Sequence, residues 1–318
     1  MKIVILDGYT VNPGDLSWDA LSTFGTVDIY DRSSAIETAA RMAGAEAVFT
    51  NKVFIDRQLI STNPQLKYIG VLATGYNVVD LGAAREAGIT VTNIPSYGTD
   101  SVAQHVFAHI LNITNQVALH ARIVREGAWS KSKDFSFRVS PQTEIAGKTL
   151  GIIGFGQIGQ RVAELGKAFG MNVIFQNRSV KNGIPSCFKQ VTLEELLKQA
   201  DVVSINCPLT DENREFINRR TLALMKTQAV LINSGRGPLI QEHDLAEALN
   251  EGKIAAAGLD VLSEEPPRQD NPLLKAKNCF VTPHIAWTTG EARQRLLTTA
   301  ISNFEAYLHG KPQNVVNP

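Results

Sequence analysis

A chain of 318 residues with 44% hydrophobic content has material for about two domains with real cores. Its 31 Lys and Arg are matched by 31 Asp and Glu, so no long-range field draws it to a polyanion, and nucleic acid and acidic membrane surfaces are disfavoured as partners. No apolar run approaches the ~18 residues of a bilayer span, and the opening Met1-Lys-Ile-Val-Ile-Leu-Asp7 meets an acid too soon for a secretion signal; a soluble, cytoplasmic protein is expected. Cys187, Cys207 and Cys279 are odd in number and lack Cys-x-x-Cys spacing, which argues against a disulfide framework or a cysteine zinc site. Each reads as a small core residue, and no metal site is expected.

In chain order, short apolar runs at 2–6, 47–50, 68–72 and 90–93 alternate with helical patterns, the signature of a parallel sheet under helices. Ser101-Val-Ala-Gln104 has the form of a capping box, and Val102, Val106, Phe107, Ile110, Leu111 and Val117 follow on helical spacing, which predicts one long helix bridging two domains. Residues 127–142 are polar and aperiodic and read as a surface excursion. Six further strands are expected at 149–153, 172–175, 202–205, 229–233, 255–261 and 279–282, with a terminal helix over 291–309. The class is α/β, with two Rossmann-like doubly wound parallel-sheet domains and a cleft between them.

Gly154-Phe-Gly156-Gln157-Ile158-Gly159 follows one predicted strand and opens a helix. In that context the glycines permit a tight turn, close approach of backbone to a pyrophosphate, and helix packing on the strand. An acid at the end of the next strand would favour NAD by meeting the ribose hydroxyls. Here the residues are Asn177, Arg178 and Ser179; the neutral amide removes the repulsion, and the arginine and serine suit a 2′-phosphate. NADP(H) is therefore expected to be accepted, in place of NAD(H) or beside it. In the alternative reading Arg178 stays solvated or stacks on adenine while NAD binds.

Ligands of open parallel sheets bind beyond the carboxyl ends of the strands. The last three strands deliver Ser234-Gly-Arg236-Gly237, then Asp260 with Glu264-Glu265-Pro266, then Pro283-His284. An arginine fork for a carboxylate and an imidazole acid for a carbonyl oxygen suit hydride transfer to a 2-oxo acid, and a neighbouring carboxylate would orient the imidazole. Spacing alone does not choose between Glu264 and Glu265. The glycines flanking Arg236 read as room for a ligand. His105 and His109 stand four apart as a metal pair would, without a third ligand in view; His120, His243 and His309 read as solvated.

Taken together, Gly154 to Gly159, Asn233-Ser-Gly-Arg-Gly237, Gly258-Leu-Asp-Val261 with Glu265-Pro266, and Thr282-Pro-His-Ile-Ala286 resemble the D-isomer-specific 2-hydroxyacid dehydrogenase family over essentially the whole chain. The resemblance implies that Arg236, Glu265 and His284 are catalytic, that Asp260 contacts the nicotinamide carboxamide, and that Cys207, Pro208 and Ser234 join the cofactor contacts. It implies substrate contacts at Asn51, Thr74 and Gly75, with Arg236, His284 and Trp287. It also implies a dinucleotide-binding Rossmann domain at 100–285, a flavodoxin-like substrate-binding domain from 1–99 with 286–318, and a homodimer. Two positions depart from the family pattern: the acid usual at 177 is missing, and Asn206 stands where a histidine is common. Trp287 after His284-Ile-Ala, and the opening Leu6-Asp-Gly-Tyr-Thr10 with Asn12-Pro-Gly-Asp15, resemble glycerate dehydrogenases, also called hydroxypyruvate reductases. The activity implied is NAD(P)H-dependent reduction of hydroxypyruvate and related 2-oxo acids such as glyoxylate to small D-2-hydroxy acids. D-lactate dehydrogenase, phosphoglycerate dehydrogenase and an NAD(H)-sensing corepressor-like module are the alternatives.

Overall fold

In the computed structural model, which describes residues 1–318, the chain folds as two units, Met1–Gly98 with Thr288–Pro318, and Thr99–Trp287. The first holds β1 (Lys2–Ile5), β2 (Thr26–Ile29), β3 (Ala47–Thr50), β4 (Tyr68–Val71) and β5 (Thr90–Thr92) in one parallel sheet ordered β2-β1-β3-β4-β5. The central strands β3 and β4 are buried throughout, as a parallel sheet covered on both faces requires. Edge strand β2 is an element the sequence did not announce. Its Thr-Val-Asp-Ile is half exposed, so neither an apolar run nor a clean alternation marks it. Helices α1 (Ala35–Met42), α2 (Arg57–Ser61) and α3 (Leu81–Glu86) start at the caps Ser34, Asp56 and Asp80, each accepting from a backbone N–H of the first turn.

The second unit begins with α4 (Thr99–Asn115) and α5 (Val117–Arg125). It continues through β6 (Thr149–Ile153), α6 (Gln157–Ala168), β7 (Asn172–Gln176), β8 (Phe188–Gln190), α7 (Leu193–Gln199), β9 (Val202–Ile205), α8 (Arg219–Leu222), β10 (Val230–Asn233), α9 (Glu242–Asn250), β11 (Ala256–Leu259) and β12 (Cys279–Val281). The parallel sheet runs β12-β11-β10-β9-β6-β7-β8. It has seven strands where six were expected, because β8 is a three-residue edge strand, Phe-Lys-Gln, with no buried residue. Strand order reverses between β6 and β9, the switch point beside which such sheets bind ligands. One face is packed by residues such as Leu196, Val203, Leu231 and Leu245, the other by Val106, Ile110, Leu150, Phe155 and Val162.

Two expectations about the first helices of this unit are corrected. Helix α4 already starts at Thr99, so Ser101 lies inside it, and its hydroxyl donates to the Ala286 carbonyl at 2.6 Å instead of capping Gln104. The helix also stops at Gln116, whose left-handed φ of 45° separates α4 from α5. The cysteines differ as well. Cys187 is exposed, while burial pushes the Cys207 thiol up to about 11 and the Cys279 thiol up to about 12. His120 is tied down, its ring nitrogens 2.9 Å from the Gln116 carbonyl and 3.3 Å from the Val139 N–H, where solvation was expected.

The chain then returns to the first unit with α10 (Gly290–Leu308). Its Phe304 lies 5.5 Å from the Phe49 ring and 4.9 Å from Tyr68, contacts worth about 0.5–1.5 kcal/mol each beyond the area they bury. Gly70 on β4 makes room, since a Cβ there would press into the Phe49 ring.

Candidate functional site

The turn after β6 is built by glycines with different jobs. Gly154 has φ +92°, and a Cβ on it would clash with the Asn206–Cys207 backbone after β9. A Cβ on Gly159 would run into the Gly154 carbonyl, so only glycine lets α6 sit this close to β6. Gly156 caps α6 without a side chain, and nothing lies within 4 Å of where its Cβ would be. The helix thus presents its positive N-terminal end at an open place, the arrangement that holds a phosphate.

At the end of β7, Asn177 braces this turn. Its Oδ1 accepts from Phe155 N at 3.2 Å, and its Nδ2 donates to the carbonyl and hydroxyl of Ser179. Gln190 on β8 donates to the carbonyls of Asn177 and Ser179 and accepts from Lys181 N; the sequence reading missed it because it missed β8. Arg178 and Ser179 are exposed. The Glu212 carboxylate is held below its usual range first by the Thr210 hydroxyl, with a smaller part from Arg178.

At the ends of β9 and β10, Asn206 Oδ1 and Ser234 Oγ are buried and have no hydrogen-bond partner in the protein. Leaving a buried polar atom unpaired costs about 1–3 kcal/mol. Two such atoms beside the glycine turn fit a polar ligand, and the donor set of α6 and Arg178 fits its phosphates.

After β10, the wholly buried Asn233 clamps the next turn, its Oδ1 accepting from Gly235 N at 3.0 Å and its Nδ2 donating to the Arg236 carbonyl at 2.9 Å. The Arg236 side chain is left exposed, with Nη1 donating to the Gly235 carbonyl. Gly237 serves packing and not ligand access. It is buried, and a Cβ on it would strike the Leu262–Ser263 backbone.

Glu265, and not Glu264, carries the carboxylate that meets the histidine: its Oε2 lies 2.6 Å from His284 Nδ1, and its Oε1 accepts from Leu262 N at 3.1 Å. Asp260, expected at the cofactor carboxamide, is 1% exposed. Its oxygens accept from Thr282 Oγ1 at 2.6 Å and from the N–H groups of Ile285 and Ala286 at 2.9 and 2.8 Å. Burial alone would raise its pKa, but bonds from His105, Thr282, Ala286 and Ile285 outweigh burial and hold it below the usual carboxylate range. Trp287 closes the unit, partly buried.

In the first unit Asn51 is 3% exposed. Its N–H donates to Asp7 Oδ1 at 2.8 Å, its Nδ2 donates to the Leu72 carbonyl, and its Oδ1 is buried without a partner. Thr74 is exposed at the turn after β4, its hydroxyl donating to the Ile94 carbonyl at 2.9 Å, with Gly75 next to it. Asp7, met in the sequence only as part of an opening motif, gathers the N–H groups of Asn51, Lys52 and Val53.

Known proteins resemble this chain over most or all of its length. The sequence model described as D-isomer specific 2-hydroxyacid dehydrogenase, NAD binding domain, matches residues 107–286. The chain is 47% identical to a hydroxypyruvate reductase of Blautia hydrogenotrophica over the full length of both, and 41% identical to a glycerate dehydrogenase of Methylorubrum extorquens over 88% of each. Among solved structures, an NADPH-dependent glyoxylate/hydroxypyruvate reductase from Sinorhizobium meliloti, in complex with NADP and malonate, is similar at TM-score 0.83 and 26% identity, covering 99% of this chain and 96% of that one. No helix is long and apolar enough to cross a membrane.

Proposed function

The chain belongs to the D-isomer specific 2-hydroxyacid dehydrogenase family, and from that premise we propose that it reduces hydroxypyruvate to D-glycerate, reversibly, with glyoxylate as a weaker substrate. The general activity is the family's, oxidoreduction between 2-oxo and 2-hydroxy acids with a nicotinamide dinucleotide. The observation that carries the reading is the 2.6 Å contact between His284 Nδ1 and Glu265, supported by the likeness to a hydroxypyruvate reductase and a glycerate dehydrogenase.

When bound, a reduced nicotinamide supplies the hydride that a carbonyl carbon accepts. Gly154, Gly156, Gln157, Ile158 and Gly159 would hold its pyrophosphate, Asn177, Arg178 and Ser179 its adenosine end, with Cys207, Pro208 and Ser234 alongside. Arg236 offers the substrate carboxylate a planar pair of donors. His284 gives the proton to the carbonyl oxygen. Because Nδ1–H is donated to Glu265, the transferred proton leaves from Nε2, and the ring passes from doubly protonated to the neutral Nδ1–H form. Glu265 sets that orientation and lies against the ring's charge while it lasts. Asn51, Thr74 and Gly75 of the first unit, and Trp287, are proposed as substrate contacts. The absence of a carboxylate at Asn177, and the exposed Arg178 and Ser179, support use of NADP(H) as well as NAD(H).

A panel of 2-oxo acids assayed with NADH and NADPH tests this. Hydroxypyruvate is expected to have the highest kcat/KM, glyoxylate a lower one, and NADPH to be used. Absence of turnover on every 2-oxo acid would overturn the enzymatic reading, and roughly a hundredfold preference for NADH, ~2.7 kcal/mol, would overturn the cofactor assignment.

The chain is further proposed to form a homodimer through the surface around α5. That helix buries none of its residues, its first residue Val117 is 68% exposed, and Trp129 and Phe135 in the segment that follows it in the chain are 52% and 91% exposed, apolar surface of the kind a partner covers. Sedimentation equilibrium should return about twice the 34.6 kDa chain mass; a single-chain mass would refute the assembly.

A further inference from the structure

His284 has φ +55°, a left-handed backbone that strains a non-glycine residue, and its loop has no regular structure of its own. Contacts outside the loop must hold it, and several of them lead to Asp260. His284 N donates to the Asp260 carbonyl at 2.9 Å, and Ile285 N and Ala286 N donate to its two carboxylate oxygens. From α4, the Ser101 hydroxyl takes the Ala286 carbonyl.

Behind the carboxylate stand Thr282 and two histidines one turn apart on α4. His105 Nε2 lies 3.0 Å from Thr282 Oγ1 and 3.3 Å from Asp260 Oδ1, and His109 Nε2 lies 3.2 Å from the same hydroxyl. The two rings meet edge to face with centroids 4.8 Å apart. Counting protons fixes their state. The hydroxyl has one proton and two lone pairs, and the proton goes to the carboxylate 2.6 Å away as a charge-assisted bond. Each imidazole therefore faces a lone pair and must donate Nε2–H. His109 is 5% exposed, and burial, with His105 beside it, brings its pKa down to about 4, so it is neutral near pH 7 and can be that tautomer. Its ring fits because residue 258 is glycine; a Cβ there would lie 2.8 Å from the imidazole.

We infer that His105, His109 and Thr282 form a positioning network that acts through Asp260 on the Pro283–Ala286 turn, setting the aim of the His284 imidazole and thereby kcat. The inference rests on the proposed role of His284 as proton donor. None of the three network residues need touch substrate; each completes the donor set that keeps the Asp260 carboxylate charged and fixed.

His109→Leu and Thr282→Val remove a donor or the hydroxyl at similar volume, whereas His109→Gln and Thr282→Ser keep one. Two quantities are read: steady-state kcat and KM, and, in ligand-free protein, the downfield proton resonance of His284 Nδ1–H, assigned by its loss in His284→Ala. The first pair is expected to lower kcat about tenfold with KM within about twofold and to shift or broaden the resonance, and the second pair to restore both. Should His109→Leu fail to fold, Thr282→Val carries the test. If folded His109→Leu and Thr282→Val leave kcat and the resonance unchanged, the network is packing alone and the inference falls. His284→Ala separates the two claims: full turnover there refutes the proton-donor role, while its loss alongside unaffected network variants refutes only the network.

Discussion

Asp7 in the first unit and Asp260 in the second occupy matching places with different results. Each lies just past the end of a strand, β1 or β11, and each gathers backbone N–H groups from the loop after the neighbouring strand, β3 or β12. Both are nearly inaccessible, at 4% and 1% exposed. Yet burial prevails at Asp7 and raises its pKa, against bonds from Asn51, Lys52, Val53 and Thr50, while at Asp260 the bonds prevail and lower it. Burial weighs more on Asp7 than on Asp260, and the donors differ as well. Asp260 has the Thr282 hydroxyl at 2.6 Å with two imidazoles behind it, and His105 supplies a ring N–H of its own; Asp7 has backbone amides and a single hydroxyl. Backbone amides suffice to shape a loop, and side-chain donors with further donors behind them are what hold a buried carboxylate charged.

The comparison is broken first at the chemistry. His284→Ala empties the loop that Asp260 holds and is expected to lower kcat by about 10²–10⁴-fold, measured as steady-state turnover with the best 2-oxo acid; wild-type turnover would leave the two loops equivalent. A smaller effect tests the carboxylates themselves through stability against pH. For Asp7 the folded pKa lies above the unfolded one, so its contribution is complete below about pH 3.9 and is lost as pH rises through the folded value. For Asp260 the folded pKa lies below the unfolded one, so its contribution is present above about pH 3.9 and is lost as pH falls through the folded value. The stability deficit of Asp7→Asn should therefore shrink as pH rises from about 3 to 7, and that of Asp260→Asn should grow, by about 1.4 kcal/mol per unit of displacement. Urea unfolding of both variants across that range checks the signs; parallel curves would mean that the two sites are electrostatically alike.

How much could be read in advance follows from how local each constraint is. The glycine turn was legible because strand, Gly-x-Gly-x-x-Gly and helix are consecutive in the chain, and the buried strands because they are apolar runs. Strands β2 and β8 were not, being short, partly exposed edges. Ser101-Val-Ala-Gln104 has the pattern of a cap, but a cap exists only where a helix begins, and α4 begins two residues earlier. The choice of Glu265 over Glu264 needed the resemblance to a family until the contact with His284 made it geometric.

By itself the sequence determined the α/β class, the dinucleotide turn and the residue types needed for acid–base work on a 2-oxo acid, because each depends on neighbours along the chain or on composition. Only the tertiary structure decided that Gly237 yields to the Leu262 backbone, that the Asp260 carboxylate accepts from the N–H groups of the turn after His284, and that His105 and His109 stand behind it. Those contacts join residues from 25 to 185 positions apart, and a hydrogen bond acts over about 3 Å, a distance that only the folded chain sets.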